Sequence, residues 1–563
     1  MGERDWWKEI AVYQVYPKSF KDANDDGSGD LKGIIEKLDY LQNLGIEAIW
    51  INPVYQSPMV DNGYDIMDYK AIHPQFGTMQ DMDQLISEAG KRGMRIVMDL
   101  VLNHTSNQHP WFLESKRSRT NAKKDWYIWR DPKPDGTAPT NWRAEFGGSS
   151  WTFDEQRGQY YLHCFAAEQP DLNWANPDVR AAIYEFITFW LEKGVGGFRL
   201  DAITYIKKPE RFTDLPPNGE DGLAPVGRAS LNQPGILDYL HEMKARTFDN
   251  YDIFTVAEAP GVPAEQIPQF TGENGVFSML IEFDHINMGV GSEQKWYEPM
   301  PWSLTDLKQI VSKSQHFVNK SGWSALYLEN HDSPRSINSY LGDQAVKAGT
   351  ISAKLLATFY TLLKGTPYIY QGQELGMTNV HYPSIDKYDD LSSLNQYRSA
   401  IREGCSEQEA LEAVWHFSRD NSRTPMQWSD QVYAGFSTQK PWLGVHPNFV
   451  RVNAQAELRN PDSLYYYYQK LIRLRKSSRA LRYGDYALLK PDHEHVWAYT
   501  RSCSREKMLV ILNFSDTLVD FPSSQELVQA ATKLVLGNVS QRLPDHENKM
   551  QLKPYEARVY LVK

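Results

Sequence analysis

The residues best suited to chemistry are acidic, and they stand at the ends of apolar runs. The stretch GVGGFRLDA (194–202) closes on Arg199 and Asp201, two residues apart and therefore on one face of an extended strand. MRIVMDLVLNH (94–104) carries Asp99, Asn103 and His104 towards its end. YDIFTVAEA (251–259) carries Glu258, and WSALYLENHD (323–332) closes on Asn330, His331 and Asp332. Burying unpaired charge is costly, so several carboxylates brought to one place imply a function that needs them. Two chemistries fit. In glycosidic cleavage one carboxylate attacks the anomeric carbon and a second carboxyl protonates the leaving oxygen. Alternatively, carboxylates and histidines hold a divalent metal.

The elements that must position these groups follow from the apolar pattern. Four further runs complete a set of eight in which the first stretch counts as GGFRLDAI (196–203): IAVYQVYP (10–17), IEAIWINP (46–53), VFSMLIEFD (276–284) and TPYIYQGQE (366–374). Helical stretches such as LKGIIEKLDYLQNLG and MQDMDQLISEAGKRG separate them, with Gly45 and Gly93 where helices should end. Eight strands alternating with helices predict an α/β fold, a parallel (β/α)8 barrel whose active site gathers at the C-terminal strand ends. Residues 105–174 break the rhythm with a Trp- and Gly-rich stretch, read as an inserted domain after the third strand. From 478 to 563 short alternating strands predict an antiparallel β-sandwich. The barrel then takes residues 1–104 and 175–477.

Composition narrows the partners. The chain has 563 residues and a net charge of −11, with both signs mixed along its length, which argues against nucleic acid or an anionic membrane as partner. Seventeen Trp and 32 Tyr suit stacking on sugar rings. Three scattered cysteines give neither a disulfide framework nor a zinc site, and the N-terminal stretch has no apolar signal core. A cytoplasmic monomer is the expectation.

DLVLNH, GFRLDAI, the isolated Glu in TVAEAPG, and ENHD resemble, in that order, the four sequence blocks of the α-amylase superfamily, glycoside hydrolase family thirteen. QPDLNW (169–174), RDNSRTPMQW (419–428), YQVYPKSF and DNGYDI are similar to the branch holding oligo-1,6-glucosidase, α-glucosidase, dextran glucosidase, trehalose-6-phosphate hydrolase and sucrose isomerase. The resemblance spans essentially the whole chain. It implies a retaining mechanism with Asp201 as nucleophile, Glu258 as acid/base and Asp332 as a third carboxylate gripping sugar hydroxyls. Arg199 would orient Asp201, and His104 and His331 would donate to hydroxyls of the same glucose. Asp61 and Arg419 resemble the pair that closes the pocket behind the non-reducing glucose and makes the enzyme exo-acting; Arg423 leaves open which arginine meets the sugar. Tyr64, Phe146 and Phe165 are expected as stacking or wall residues.

The resemblance leaves substrate and metal as expectations. Ala202 follows the nucleophile, where the branch pairs Ala or Thr with α-1,4 linkages and Val with α-1,6, so maltose and malto-oligosaccharides lead and isomalto-oligosaccharides are the alternative. The Arg-Leu-Asp-Arg stretch of sucrose isomerases is missing from INMGVGSEQKWYEPMPWSL. Trehalose 6-phosphate would need a phosphate ligand, for which Lys207 and Lys208 are candidates, although such lysines are more often surface charges. DANDDGSGD (22–30) alternates oxygen donors about a Gly turn, as calcium loops do. The resemblance implies a structural calcium, with magnesium as an alternative occupant, on Asp22, Asn24, Asp26, the Ser28 carbonyl and Asp30. No organic cofactor is expected.

Overall fold

The computed structural model describes residues 3–219, 221–263, 265–522, 531–540 and 549–562. All eight apolar runs form strands of one sheet: β1 (Val12–Val15), β2 (Ala48–Ile51), β3 (Arg95–Val101), β4 (Gly197–Asp201), β5 (Phe254–Glu258), β6 (Met279–Ile281), β7 (Ala325–Leu326) and β8 (Thr366–Tyr370). Their order in the sheet is β6-β5-β4-β3-β2-β1-β8-β7, the cyclic order of a (β/α)8 barrel. The strands are short and nearly continuously apolar, as parallel strands covered on both faces are.

The intervening helices are set by local chemistry. The helix α1 (Met79–Lys91) starts in a capping box in which Thr78 and Asp81 exchange side-chain and backbone hydrogen bonds. α2 (Pro177–Glu192) has Asn176 as N-cap and Pro177 in its first turn. Gly45 and Gly93 take left-handed backbone angles at helix ends, φ +102° and +72°, where a side chain would be strained.

Two compact units divide the chain: Met1–Gly29 with Glu36–Ile49 and Phe283–Lys563, and Asp30–Ile35 with Trp50–Glu282. The second unit includes the stretch after β3, where Trp129–Arg130, Trp151–Asp154 and Gln159–Leu162 form a small antiparallel sheet. Within it Trp142, Trp151 and Leu162 share a buried cluster with Ala202 and Tyr205 from the loop after β4. The first unit ends in a five-stranded antiparallel sheet built from Asp485–Leu489, Val496–Cys503, Glu506–Asn513, Ala557–Val562 and Ala531–Gly537 in that order. Val496, Leu509, Ile511 and Phe521 form the apolar cluster of this region. Among the described residues no helix is long and apolar enough to cross a membrane, and all three cysteines are free.

Candidate active site

In the Trp50–Glu282 unit, strand register assembles the charges. β4 pairs with β3 so that Arg199 lies opposite Asp99, and the period of two places Asp201 on the same face as Arg199. β5 pairs with β4 on the other side and ends at Glu258. The Arg199 guanidinium therefore meets three carboxylates. Nη1 donates to Asp99 Oδ1 at 2.6 Å and to Asp201 Oδ1 at 2.6 Å, and Nη2 lies 2.9 Å from Glu258 Oε2.

These carboxyls differ in access. Asp99 is fully buried, whereas the side chains of Asp201 and Glu258 are 12% and 14% exposed. Only the latter two can touch a substrate. Burial pushes Asp99 up to about 6 even though Arg199 and the Trp50 indole N–H, which donates to Oδ2 at 3.0 Å, favour its charged form. Burial works against the charge on Arg199, but Asp99, Glu258, Tyr64 and Asp201 outweigh it and hold the guanidinium protonated well above its ordinary range. One cation facing three carboxyls makes full ionisation of all three unfavourable, which is the electrostatic setting of a general acid beside an ionised partner.

The loop after β4 adds a further hold on Glu258. Ala202 adopts φ +43° and ψ +36°, rare for a residue with a side chain, and its N–H donates to Glu258 Oε2 at 2.9 Å. Around the pair, Tyr64 donates from its hydroxyl to Asp99 Oδ2 at 3.2 Å and accepts from Asn52 at 2.8 Å. Asp61 is buried, and its Oδ2 accepts from Gln169 Nε2, whose nitrogen is also 3.1 Å from His104 Nε2. Burial lowers His104 to about 4, so the ring is neutral near pH 7. Phe165 packs its ring 5.2 Å from that of His104 and 5.9 Å from that of Phe146.

Behind His104 lies a buried network that sequence reasoning did not anticipate. Lys208 Nζ is 2.6 Å from Asp171 Oδ2 and donates to Asn103 Oδ1 and the Tyr205 carbonyl, both at 2.8 Å. Asp171 Oδ1 accepts from Asn103 Nδ2 at 2.9 Å. Lys208 is thus neither a surface charge nor a cation open to a phosphate: a buried ammonium survives only when paired in this way. The QPDLNW motif contained both Gln169 and Asp171, and was the signal that could have found them. Lys207, by contrast, sets its ammonium 4.9 Å from the Tyr239 ring.

The other unit carries the remaining candidates. His331 Nδ1 faces Gln14 Nε2 at 2.9 Å, leaving Nε2–H to donate to Asp332 Oδ2 at 2.9 Å. Asp332 Oδ1 accepts from Arg419 Nη1 at 3.2 Å and from Arg423 Nη2 at 2.8 Å. Burial alone would raise the Asp332 carboxyl, but His331, Arg419 and Arg423 hold it well below its usual range, ionised and a third exposed. Arg423 is almost wholly buried and donates to the His331 carbonyl, whereas Arg419 keeps some exposure, 14%. Arg419 is thus the more accessible of the two arginines.

In the acidic turn, Asp22 is buried and already accepts from the N–H groups of Asn24, Asp25 and Gly27. Asn24 Oδ1 accepts from Asp26 N–H, and Asp26 Oδ1 from Ser28 N–H. The carboxylate and amide oxygens are hard donors of the kind calcium takes, but here they accept backbone N–H groups of the turn, and among the described residues no three acidic, His or Cys side chains converge as a metal cluster. Asp30 begins the other unit and accepts from Gly33 N–H at 2.7 Å, as a helix cap does.

A pair of partly exposed carboxyls sharing one buried cation on a parallel eight-stranded sheet is an arrangement that glycosidic cleavage can use. Residues 14–484 match the alpha-amylase catalytic domain, and the chain belongs to that family. It is 45% identical over 563 residues to the oligo-1,6-glucosidase of Parageobacillus thermoglucosidasius, covering 100% of both chains. Among solved structures, trehalose-6-phosphate hydrolase of Bacillus licheniformis is 43% identical with a TM-score of 0.93, covering 99% of this chain and 100% of that one. Isomaltulose synthase of Klebsiella sp. LX3 is 42% identical with a TM-score of 0.94, covering 99% of both. The fold is therefore the expected (β/α)8 barrel with an insertion after the third strand and a C-terminal antiparallel domain.

Proposed function

We propose that this chain is a retaining, exo-acting oligo-1,6-glucosidase that releases α-glucose from the non-reducing end of isomalto-oligosaccharides. The observation that carries the chemistry is the single Arg199 guanidinium bonded to both Asp201 and Glu258, the two carboxyls with solvent access. The linkage rests on the full-length likeness to an oligo-1,6-glucosidase. The α-1,4 expectation drawn from Ala202 has no such support. Position 202 also has a backbone role, since its left-handed conformation aims an N–H at Glu258.

In the proposed reaction Asp201 attacks the anomeric carbon while Glu258 delivers its proton to the departing glycosidic oxygen. The glucosyl ester on Asp201 is then cleaved by water, which Glu258, now ionised, deprotonates. Arg199 keeps Asp201 anionic and oriented throughout. Asp332 grips sugar hydroxyls, as its ENHD motif implies, and exo action rests on the motif positions of Asp61 and Arg419. Another sugar hydroxyl in place of water gives transglucosylation. Asp22, Asn24, Asp26 and the Ser28 carbonyl would hold a calcium ion, which would supply rigidity rather than chemistry.

Initial rates of glucose release from isomaltotriose, maltotriose, sucrose and trehalose 6-phosphate, with the fresh anomer followed by NMR, test this. Isomaltotriose should be fastest and should yield α-glucose first. Preference for maltotriose would overturn the linkage, and fresh β-glucose would overturn the retaining mechanism.

A further inference from the structure

Arg419, read above as a sugar ligand, is itself gripped by a second carboxylate. Asp390 is fully buried and is the N-cap of the helix Leu391–Arg402, its carboxylate accepting from the N–H groups of Ser392 and Ser393 at 3.1 and 3.0 Å. The Ser393 hydroxyl adds a third bond to Oδ2 at 2.6 Å. The same Asp390 reaches Arg419: Nε donates to Oδ1 at 2.7 Å, and Nη2 is also 2.7 Å from Oδ1. Arg419 then extends Nη1 to Asp332. A flexible, rotamer-rich side chain is thus fastened along one edge by a carboxylate that a helix end holds rigid, while its far edge stays partly exposed.

We propose that Asp390 is a positioning residue for substrate binding, fixing the Arg419 guanidinium so that its partly exposed Nη1 side, which also bonds Asp332, presents to the glucose hydroxyls. The proposal rests on the reading of Arg419 as a sugar ligand. Four charged groups compete here, because Arg419 and Arg423 both bond Asp332 Oδ1. Without Asp390, Arg419 would be drawn further onto Asp332, and the ordering of its side chain would have to be paid by the incoming sugar. The capping role alone does not require a charge, since Asn and Ser cap helices as well as Asp does.

That difference supplies the test. Asp390→Asn and Asp390→Ser keep the cap and remove the charge. In the full-length enzyme acting on p-nitrophenyl α-glucoside and on isomaltotriose, each should raise KM about tenfold with little change in kcat. Tm should stay near that of the unmodified chain. In an Arg419→Ala background the same Asp390 substitutions should have no further effect on KM, because the residue acts through the arginine. An unchanged KM in both Asp390 variants, with Arg419→Ala strongly impaired, overturns the positioning role and leaves the sugar-binding arginine intact. An equal KM rise with and without Arg419 also overturns it. A silent Arg419→Ala overturns the reading of Arg419 itself, and the proposal with it.

Discussion

The backbone N–H of Ala202 points at Glu258 Oε2 from 2.9 Å, and it can do so only because Ala202 takes a left-handed backbone conformation. The residue after Asp201 therefore holds Glu258 through its backbone as well as lining its surroundings. A β-branched side chain is penalised at such angles. Ala202→Val should cost about 1 to 2 kcal/mol of stability, and Ala202→Gly should cost less than Val. Paired thermal melts check this, and equal melting temperatures for the two variants would remove the conformational argument.

Asp201→Asn should reduce kcat by at least about three orders of magnitude without lowering Tm, since it removes the proposed nucleophile, barely alters volume and relieves one of three carboxyls crowded on Arg199. Turnover near that of the unmodified enzyme would show that another group attacks the sugar.

The buried His104, lowered to about 4, titrates below its unfolded value of about 6.5. The native state then binds fewer protons than the unfolded chain between those two pH values. Its contribution is fully present above pH 6.5 and is lost as the pH falls towards 4. His104→Gln should make the acid-side loss of stability shallower by up to about 3 kcal/mol. Denaturant titrations at pH 4.5 and 7.5 measure the difference, and identical slopes for both proteins would refute it.

Lys208→Met should destabilise by about 3 to 5 kcal/mol, because it strands the Asp171 carboxylate, which is fully buried. Adding Asp171→Asn should recover part of that loss. A double variant no better than the single one would mean the pair is not the source of the effect.

A chelator should lower Tm while leaving the initial rate at 25 °C unchanged, if calcium on the Asp22–Ser28 turn is structural. Loss of rate at a temperature where the fold is intact would instead bring a metal into the reaction.

The sequence by itself determined the eight strands, the insertion and the antiparallel C-terminal region, because short apolar runs, alternating strands and helix caps are local signals. It also placed Arg199 and Asp201 on one strand face, since two residues of spacing suffice for that. Only the tertiary structure decided which carboxyls could act. Asp99 stands in the same register as Arg199 yet is sealed, while Asp201 and Glu258 keep access, and exposure depends on residues remote in the chain. The Lys208–Asp171 pair, 37 residues apart, and the Asp390–Arg419 pair, 29 apart, likewise emerged only from folding. A charged residue's worth depends on its partner and its burial, and neither is written in its neighbours along the chain.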